Sequence, residues 1–185
     1  MIHNVKTILP CVVVYECKHD CENLVELIET ESNKPWSHIP FVTGWSDEDD
    51  TTSQFAPLEP ILGSDKESLR PMSDLYVKCN RILEDCLDDY LIHYEILTSE
   101  DGGSCLYRVT GHYLYSTPIT PADNFFVISS MMALTEATIK LERFNIEFTV
   151  AAGDVYIIPA QFPHEQVIQG TPDSVYVAGK YLKGR

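Results

Sequence analysis

The stretch ATIKLERFNIEFTVAAGDVYIIP, residues 137–159, decides the fold class of this chain. In its first segment the apolar residues Ala137, Ile139 and Leu141 alternate with polar ones. Such period-two alternation is typical of a strand with one buried face. Two further short apolar segments follow, and the second begins after the turn-forming pair Gly153–Asp154. The pattern predicts three consecutive β-strands, over residues 137–141, 145–150 and 155–158.

The same pattern continues on both sides of this stretch, which predicts a largely antiparallel β structure. Glu100-Asp101-Gly102-Gly103 is interpreted as a turn between two strands of an antiparallel pair. Many short strands separated by turn residues indicate a β-sandwich or jelly roll. The remaining predicted strands cover residues 9–15, 91–97, 105–115, 125–132, 165–168 and 174–182.

Two amphipathic helices are predicted before most of these strands. The first follows the capping residue Asp20, and its apolar positions begin at Cys21. The second and stronger helix runs from Ser73, its predicted cap, to Tyr90, with an unbroken apolar stripe at helical spacing. Because helices precede strands, we expect a mainly β (α+β) fold with helices packed outside the sheets, in a single domain over residues 1–185.

Residues 34–71 form a long excursion between the two helices, with five prolines and the acidic run Asp47–Asp50. This composition predicts little regular structure, apart from a short strand over Phe41–Gly44. Aromatic residues among the acidic ones make the excursion a candidate protein interface. The alternative, that these side chains fold back onto the protein's own core, stays open. The interface candidates are Trp36, Phe41, Trp45 and Phe55.

The formal net charge of -15 argues against nucleic-acid binding, because the protein and a phosphate backbone repel each other. The same charge favours a protein partner with a basic surface. No run of about 18 apolar residues is present, so we expect no membrane span. The N-terminal segment lacks the basic region and cleavage site of a signal peptide, so we expect the protein to remain inside the cell.

Six cysteines occur in the chain. The chain is long enough to form a core without a disulfide framework, which predicts reduced structural thiols. Cys17 and Cys21 have a spacing that could suggest zinc, but no second pair follows at zinc-finger spacing. Cys79 and Cys86 lie seven residues apart on the apolar face of the second helix, where buried thiols are ordinary.

Two segments carry a resemblance to a known family: YRVTGHYLYSTP at residues 107–118, and residues 148–167, which contain Gly153-Asp154 and end in HEQV. They are similar to the Y-x-x-x-G-x-Y-x-x-H-x-D and P-x-x-G…H-x-V motifs of prolyl-4-hydroxylase-like 2-oxoglutarate/Fe(II) dioxygenases. The short members carried by tailed bacteriophages resemble the chain most. The resemblance implies a double-stranded β-helix (jelly roll, cupin-like) flanked by N-terminal helices.

The resemblance also indicates where the iron ligands of the family would fall. Tyr113 matches the second tyrosine of the first motif, Ser116 stands at the proximal histidine, and Pro118 stands at the carboxylate. His164 stands at the distal histidine and is the one ligand-type residue that remains. The family binds the far carboxylate of 2-oxoglutarate with a basic residue, but Thr171–Tyr176 contains none, and Lys180 lies further along the predicted strand.

One imidazole does not hold Fe(II) against water, since the family uses two histidines and a carboxylate. We therefore predict no catalytic residues and neither Fe(II) nor 2-oxoglutarate as cofactor. The favoured function is a non-catalytic binding or structural module, such as a bacteriophage virion or host-interaction protein, in the host cytoplasm or assembled into a larger particle. Two alternatives remain. One is an active dioxygenase with unusual ligands, for which His112, Asp123 and His164 are the available set. The other is a cupin-like small-molecule binder.

Overall fold

The computed structural model describes residues 4–30, 37–38, 53–57, 70–96, 98–109, 112–116, 126–141, 144–159, 165–170 and 175–184. The helices within these ranges are α1 (Glu22–Thr30) and α2 (Arg70–His93). None of the described helices is long and apolar enough to cross a membrane. The strands are β1 (Asn4–Leu9), β2 (Val12–Glu16), β3 (Ser37–His38), β4 (Ser53–Pro57), β5 (Thr98–Val109), β6 (His112–Ser116), β7 (Phe126–Ala133), β8 (Ala137–Leu141), β9 (Ile146–Val150), β10 (Val155–Pro159), β11 (Glu165–Gly170) and β12 (Val175–Gly184).

The strands form two antiparallel sheets. The large sheet has the order β1-β2-β10-β7-β12-β5-β4-β3, and the small sheet has the order β6-β11-β8-β9. From β5 onward each connection passes from one sheet to the other, except for the β8–β9 pair, which stays in the small sheet. Eight strands that wind between two facing sheets in this order make a double-stranded β-helix, which confirms the predicted fold class.

The central strands β2, β10, β7 and β12 of the large sheet are covered on both faces, because their described residues alternate between two clusters of apolar side chains. Positions such as Val14, Tyr156 and Val177 face the small sheet and form what we call the inner core, together with Ile139 and Phe148 from β8 and β9. Positions of the opposite parity lie beneath the helices and form the outer core. The outer core includes Tyr15, Met132, Ile157, Leu24, Leu83 and Leu87.

The helix predicted over 73–90 is real but longer, since α2 runs from Arg70 to His93. Ser73 therefore lies inside the helix and does not cap it. At the other end, Ile96 N donates to Leu91 O (2.9 Å) and Glu95 adopts a left-handed φ of 54°. This is the geometry of a helix C-cap that usually takes glycine. Because a glutamate occupies the position, the sequence lacked the stop signal, and the predicted strand over 91–97 was wrong.

The turn predicted at residues 100–103 is also wrong, because these residues lie within β5. β5 pairs with β12, and its register shifts by one residue where Gly102 and Gly103 stand together opposite Tyr181. Glycines inside a strand often mark such a bulge. The predicted strand over 105–115 is in fact two strands in different sheets, β5 and β6.

The N-terminal strand predicted over residues 9–15 is a hairpin of β1 and β2. Its turn contains Cys11 with a φ of 69°. The excursion over 34–71 is more regular than predicted, since β3 and β4 add to the edge of the large sheet and Phe55 pairs with Tyr107 of β5. The strand predicted over Phe41–Gly44 lies outside the described residues, as do Trp36, Phe41 and Trp45.

Candidate functional site

The first candidate site is the end of the small sheet where the resemblance placed the iron ligands. Ser116 is the last residue of β6 and pairs with Glu165, the first residue of β11. Tyr113 pairs with Ile168 in the same ladder. His164 precedes Glu165 in the sequence, but His164 and Pro118 lie outside the described residues. The β6–β11 ladder therefore joins the two segments on which the resemblance rests.

An alternative ligand set that includes His112 receives no support from this ladder. His112 pairs with Gln169, near the opposite end of β11 from Glu165. Ser116 comes four positions after His112, which corresponds to about 13 Å along a strand. Asp123, the other member of the set, lies outside the described residues.

The register of β12 bears on Lys180, the basic residue nearest to the family's position for binding 2-oxoglutarate. Lys180 pairs with Ser130 of β7. Ser130 is fully buried, and its hydroxyl donates to Leu83 O of α2 at 3.3 Å, so it lies on the helix side of the sheet. On β12, Tyr176 and Ala178 have the same parity as Lys180 and belong to the outer core.

The inner core holds one notable polar atom, the Tyr156 hydroxyl. Tyr156 lies on β10 and is 1 % exposed, and its hydroxyl has no hydrogen-bond partner among the described residues. Burial raises the pKa of this phenol above its usual range, so the hydroxyl stays protonated. An unpaired buried hydroxyl is unfavourable by about 1–3 kcal/mol. It marks a point in the barrel where a polar group of a ligand would be stabilised.

A second candidate site lies on the other face of the large sheet, where the segment between β2 and α1 passes over α2. His19, Cys21 and Cys79 bring one ligand atom each to within 4.8 Å of one another. Cys21 and Cys79 are almost completely buried and His19 is partly buried. We call these three residues the Cys–His cluster. A separate thiol pair lies nearby, with Cys17 Sγ 3.5 Å from Cys86 Sγ.

These cysteines were predicted to be ordinary structural thiols, and no contact between Cys21 and Cys79 was predicted. His19 lies between Cys17 and Cys21 and is a local signal of a metal site that could have been used together with their spacing. The matching residues on α2 come about 60 positions later and were not recognisable as partners at zinc-finger spacing. Hydrogen bonding to Cys21 and burial raise the pKa of the Cys79 thiol. Burial lowers the pKa of His19, which favours the neutral imidazole.

The Gly153–Asp154 turn holds this segment in place. His19 N donates to Gly153 O at 3.1 Å, and Lys18 N donates to Asp154 Oδ1 at 3.0 Å. Gly153 has a φ of 83° and stands so close that a Cβ built on it would lie 1.9 Å from the backbone oxygen of His19. From the sequence, this turn was predicted only to precede the strand that is now β10. In the structure it also positions His19.

The fold and the strand order place the protein among the double-stranded β-helix proteins. It is similar to a prolyl hydroxylase from Trichoplax adhaerens, solved with a hypoxia inducible factor oxygen degradation domain peptide, at 9% identity and a TM-score of 0.62 over 93% of this chain and 83% of that one. It is also similar to a Pseudomonas putida prolyl-4-hydroxylase, at 10% identity and a TM-score of 0.58 over 95% and 93% of the two chains.

These solved neighbours are prolyl-4-hydroxylase-like 2-oxoglutarate/Fe(II) oxygenases, and at such low identity they show a shared fold. No protein-family model matches the sequence. No curated protein matches it either. What the protein does must therefore be argued from its own residues.

Proposed function

We propose that the chain is a non-catalytic binding module built on the oxygenase scaffold, without Fe(II) at the position of the oxygenase iron. The observation that carries this proposal is the β6–β11 ladder. It pairs Ser116 with Glu165, and so supports the alignment in which a serine replaces the proximal histidine and Pro118 replaces the carboxylate. A proline side chain has no ligand atom. With His164 alone remaining, the facial set of two histidines and a carboxylate that Fe(II) oxygenases use is not available.

The partner of such a module is a protein with a basic surface. The chain has 28 acidic residues against 13 lysines and arginines, so its long-range field attracts cationic partners. An association of this kind weakens as salt is added, because exposed charges are screened over about 10 Å at 0.1 M ionic strength. The resemblance to short bacteriophage-encoded members extends the proposal to a virion component or a host-interaction protein. The genes that flank this one test that extension.

The protein should bind far less than one Fe(II) per chain at the barrel position. Metal content would be measured after anaerobic purification and dialysis against Fe(II) with 2-oxoglutarate. The Cys79→Ser variant should be measured beside the wild type, so that metal held by the Cys–His cluster is not counted as barrel iron. Iron at one equivalent that survives Cys79→Ser and disappears in His164→Ala would contradict the proposal and favour an active dioxygenase.

A second candidate function is small-molecule binding in the barrel, as in cupin-like proteins. It is favoured by the buried hydroxyl of Tyr156, which has no hydrogen-bond partner in the described part of the chain. If the barrel of the purified protein holds no ligand, Tyr156→Phe should leave the free energy of unfolding unchanged or raise it by about 1 kcal/mol, since it removes an unsatisfied group. Urea denaturation measures the change. A loss of about 1 kcal/mol or more would instead indicate that the hydroxyl is paired in the folded protein.

A further inference from the structure

We infer that His19, Cys21 and Cys79 form a binding site for a thiophilic divalent cation of the Zn(II) class. This site lies on the helix side of the large sheet, whereas the oxygenase iron position belongs to the small sheet. The inference therefore does not depend on whether the barrel binds iron. It assigns to these thiols a role beyond packing.

The ligand atoms of the Cys–His cluster lie about 1 Å further apart at most than the ligands of a tetrahedral site. With metal–sulfur bonds of about 2.3 Å and metal–nitrogen bonds of about 2.0 Å, tetrahedral ligand atoms lie roughly 3.4–3.8 Å apart. The three ligand atoms here already lie within 4.8 Å of one another. Side-chain rotation that brings the three ligand atoms about 1 Å closer together would place them at the spacing of three ligands of a tetrahedral ion.

The three ligands stand on parts of the chain that are held in place without a metal. The backbone N–H of His19 donates a hydrogen bond to Gly153 O, as described above. Cys21 directly precedes α1, where Val25 N donates to Cys21 O at 3.0 Å and Asp20 Oδ1 accepts from Glu22 N at 3.1 Å. Cys79 lies on the buried face of α2, in the outer core. Ligands on rigid elements bind a cation with little loss of conformational entropy.

The chemistry of the donors selects the cation. Two thiolates and one neutral imidazole are a common set for Zn(II) and are poor ligands for Mg(II) or Ca(II). Two thiolates also balance the charge of a divalent cation, and a neutral site is what a nearly dry location requires. Met132 Sδ lies 3.8 Å from Cys21 Sγ and is a candidate for a fourth, weak ligand.

The thiol pair Cys17–Cys86 does not share this site. Cys86 comes seven positions after Cys79 on α2, which corresponds to about 10.5 Å along the helix axis. Among the described residues, no histidine lies with Cys17 and Cys86 in a group that could hold a metal ion. It is therefore a matched control, since its two thiols join the same segment and the same helix.

Cobalt(II), which takes tetrahedral thiolate sites and is coloured in them, is the probe for the full-length, reduced protein. The wild type should bind one equivalent with thiolate-to-cobalt charge-transfer absorption, and Zn(II) should displace it. Binding should release about two protons, because the thiols must ionise. Cys79→Ser and His19→Gln should each weaken the affinity by about a hundredfold or more, exceeding the loss typical of an outer-shell change. Cys86→Ser should retain wild-type absorption and affinity.

Folding of each variant would be checked by circular dichroism, and His19→Gln keeps the test valid if Cys79→Ser does not fold. Three outcomes overturn the inference. They are a folded, reduced wild type without the charge-transfer band, a band that persists unchanged in both His19→Gln and Cys79→Ser, and a band that is lost in Cys86→Ser. None of them bears on iron in the barrel, which the His164→Ala comparison addresses separately.

Discussion

Gly153→Ala should destabilise the protein by about 3–5 kcal/mol, among the larger effects that single substitutions have. Gly153 has a φ of 83°, and a left-handed conformation is unfavourable by roughly 1–2 kcal/mol for an L-residue. The added Cβ would also lie 1.9 Å from His19 O and 2.6 Å from His19 N. Both atoms are backbone, so no side-chain rotation relieves the overlap and the segment at His19 must move away.

Urea denaturation of the wild type and the variant measures this effect through the change in the free energy of unfolding. Asp154→Ala is the matched control in the same turn. It removes the acceptor of the Lys18 N hydrogen bond without adding a clash, so a loss of about 1 kcal/mol is expected. Gly153→Ala should also weaken cobalt binding, since it displaces His19. Stability within about 1 kcal/mol of the wild type would mean that the segment does not pack against this turn as described.

Ser116→His combined with Pro118→Asp should raise the affinity for Fe(II) by at least about a hundredfold, because it supplies the two missing groups of the facial set beside His164. Ser116 ends β6 opposite Glu165, at the strand end where the resemblance puts the proximal ligand. Turnover should remain low, because Thr171–Tyr176 supplies no basic residue for 2-oxoglutarate. Anaerobic calorimetry, carried out with Cys79→Ser also present, measures affinity at the barrel position.

The matched control shifts both substitutions by one residue, as Tyr115→His with Thr117→Asp. Successive side chains of a strand point to opposite faces, so the shifted pair should gain no iron affinity. If the Ser116→His/Pro118→Asp variant folds and binds iron no better than the shifted pair, the alignment of residues 107–118 with the family motif is incorrect. The proposal that this position lost its iron ligands would then fail as well.

Most helices and strands could be predicted from the sequence, because each has apolar residues at a regular spacing. The apolar stripe of α2 is buried against the large sheet along Cys79, Leu83, Cys86 and Tyr90, as its spacing required. The strand β8 has the predicted bounds. Its apolar residues are buried, and the polar residues between them are half-buried. In both cases burial of one face follows from the pattern of side chains, whichever element covers that face.

The errors lie where the backbone adopts a conformation that the local residues do not signal. Glu95 takes a left-handed C-cap position without being glycine, so the end of α2 was missed. At the N-terminus, Cys11 turns the chain with a φ of 69°, and the Tyr90 hydroxyl donates to Cys11 O at 2.8 Å. A residue 79 positions away thus holds the hairpin turn, and no local pattern records that contact.

The candidate sites also combine features that the sequence predicts with features that depend on the tertiary structure. In the proposed alignment, Ser116 and Pro118 stand at two ligand positions of the motif, and neither is the histidine or the carboxylate that the motif has there. That both segments meet in one ladder, with Ser116 opposite Glu165, depends on how the small sheet pairs. The prediction that this position holds no iron stays a prediction until metal binding is measured.

By itself, the sequence determined the acidic character through its composition, and the fold class through periodicities of two and 3.6 residues together with the resemblance to the dioxygenase motifs. The same resemblance named the residues of the barrel position. Only the tertiary structure decided which of those residues meet. Cys21 and Cys79 approach each other because α2 packs on the face of the sheet that carries Met132. His19 joins them because Gly153, more than a hundred residues later, has no side chain to keep its backbone away. Such contacts depend on how distant segments pack together, and this packing produces no periodic pattern in the sequence.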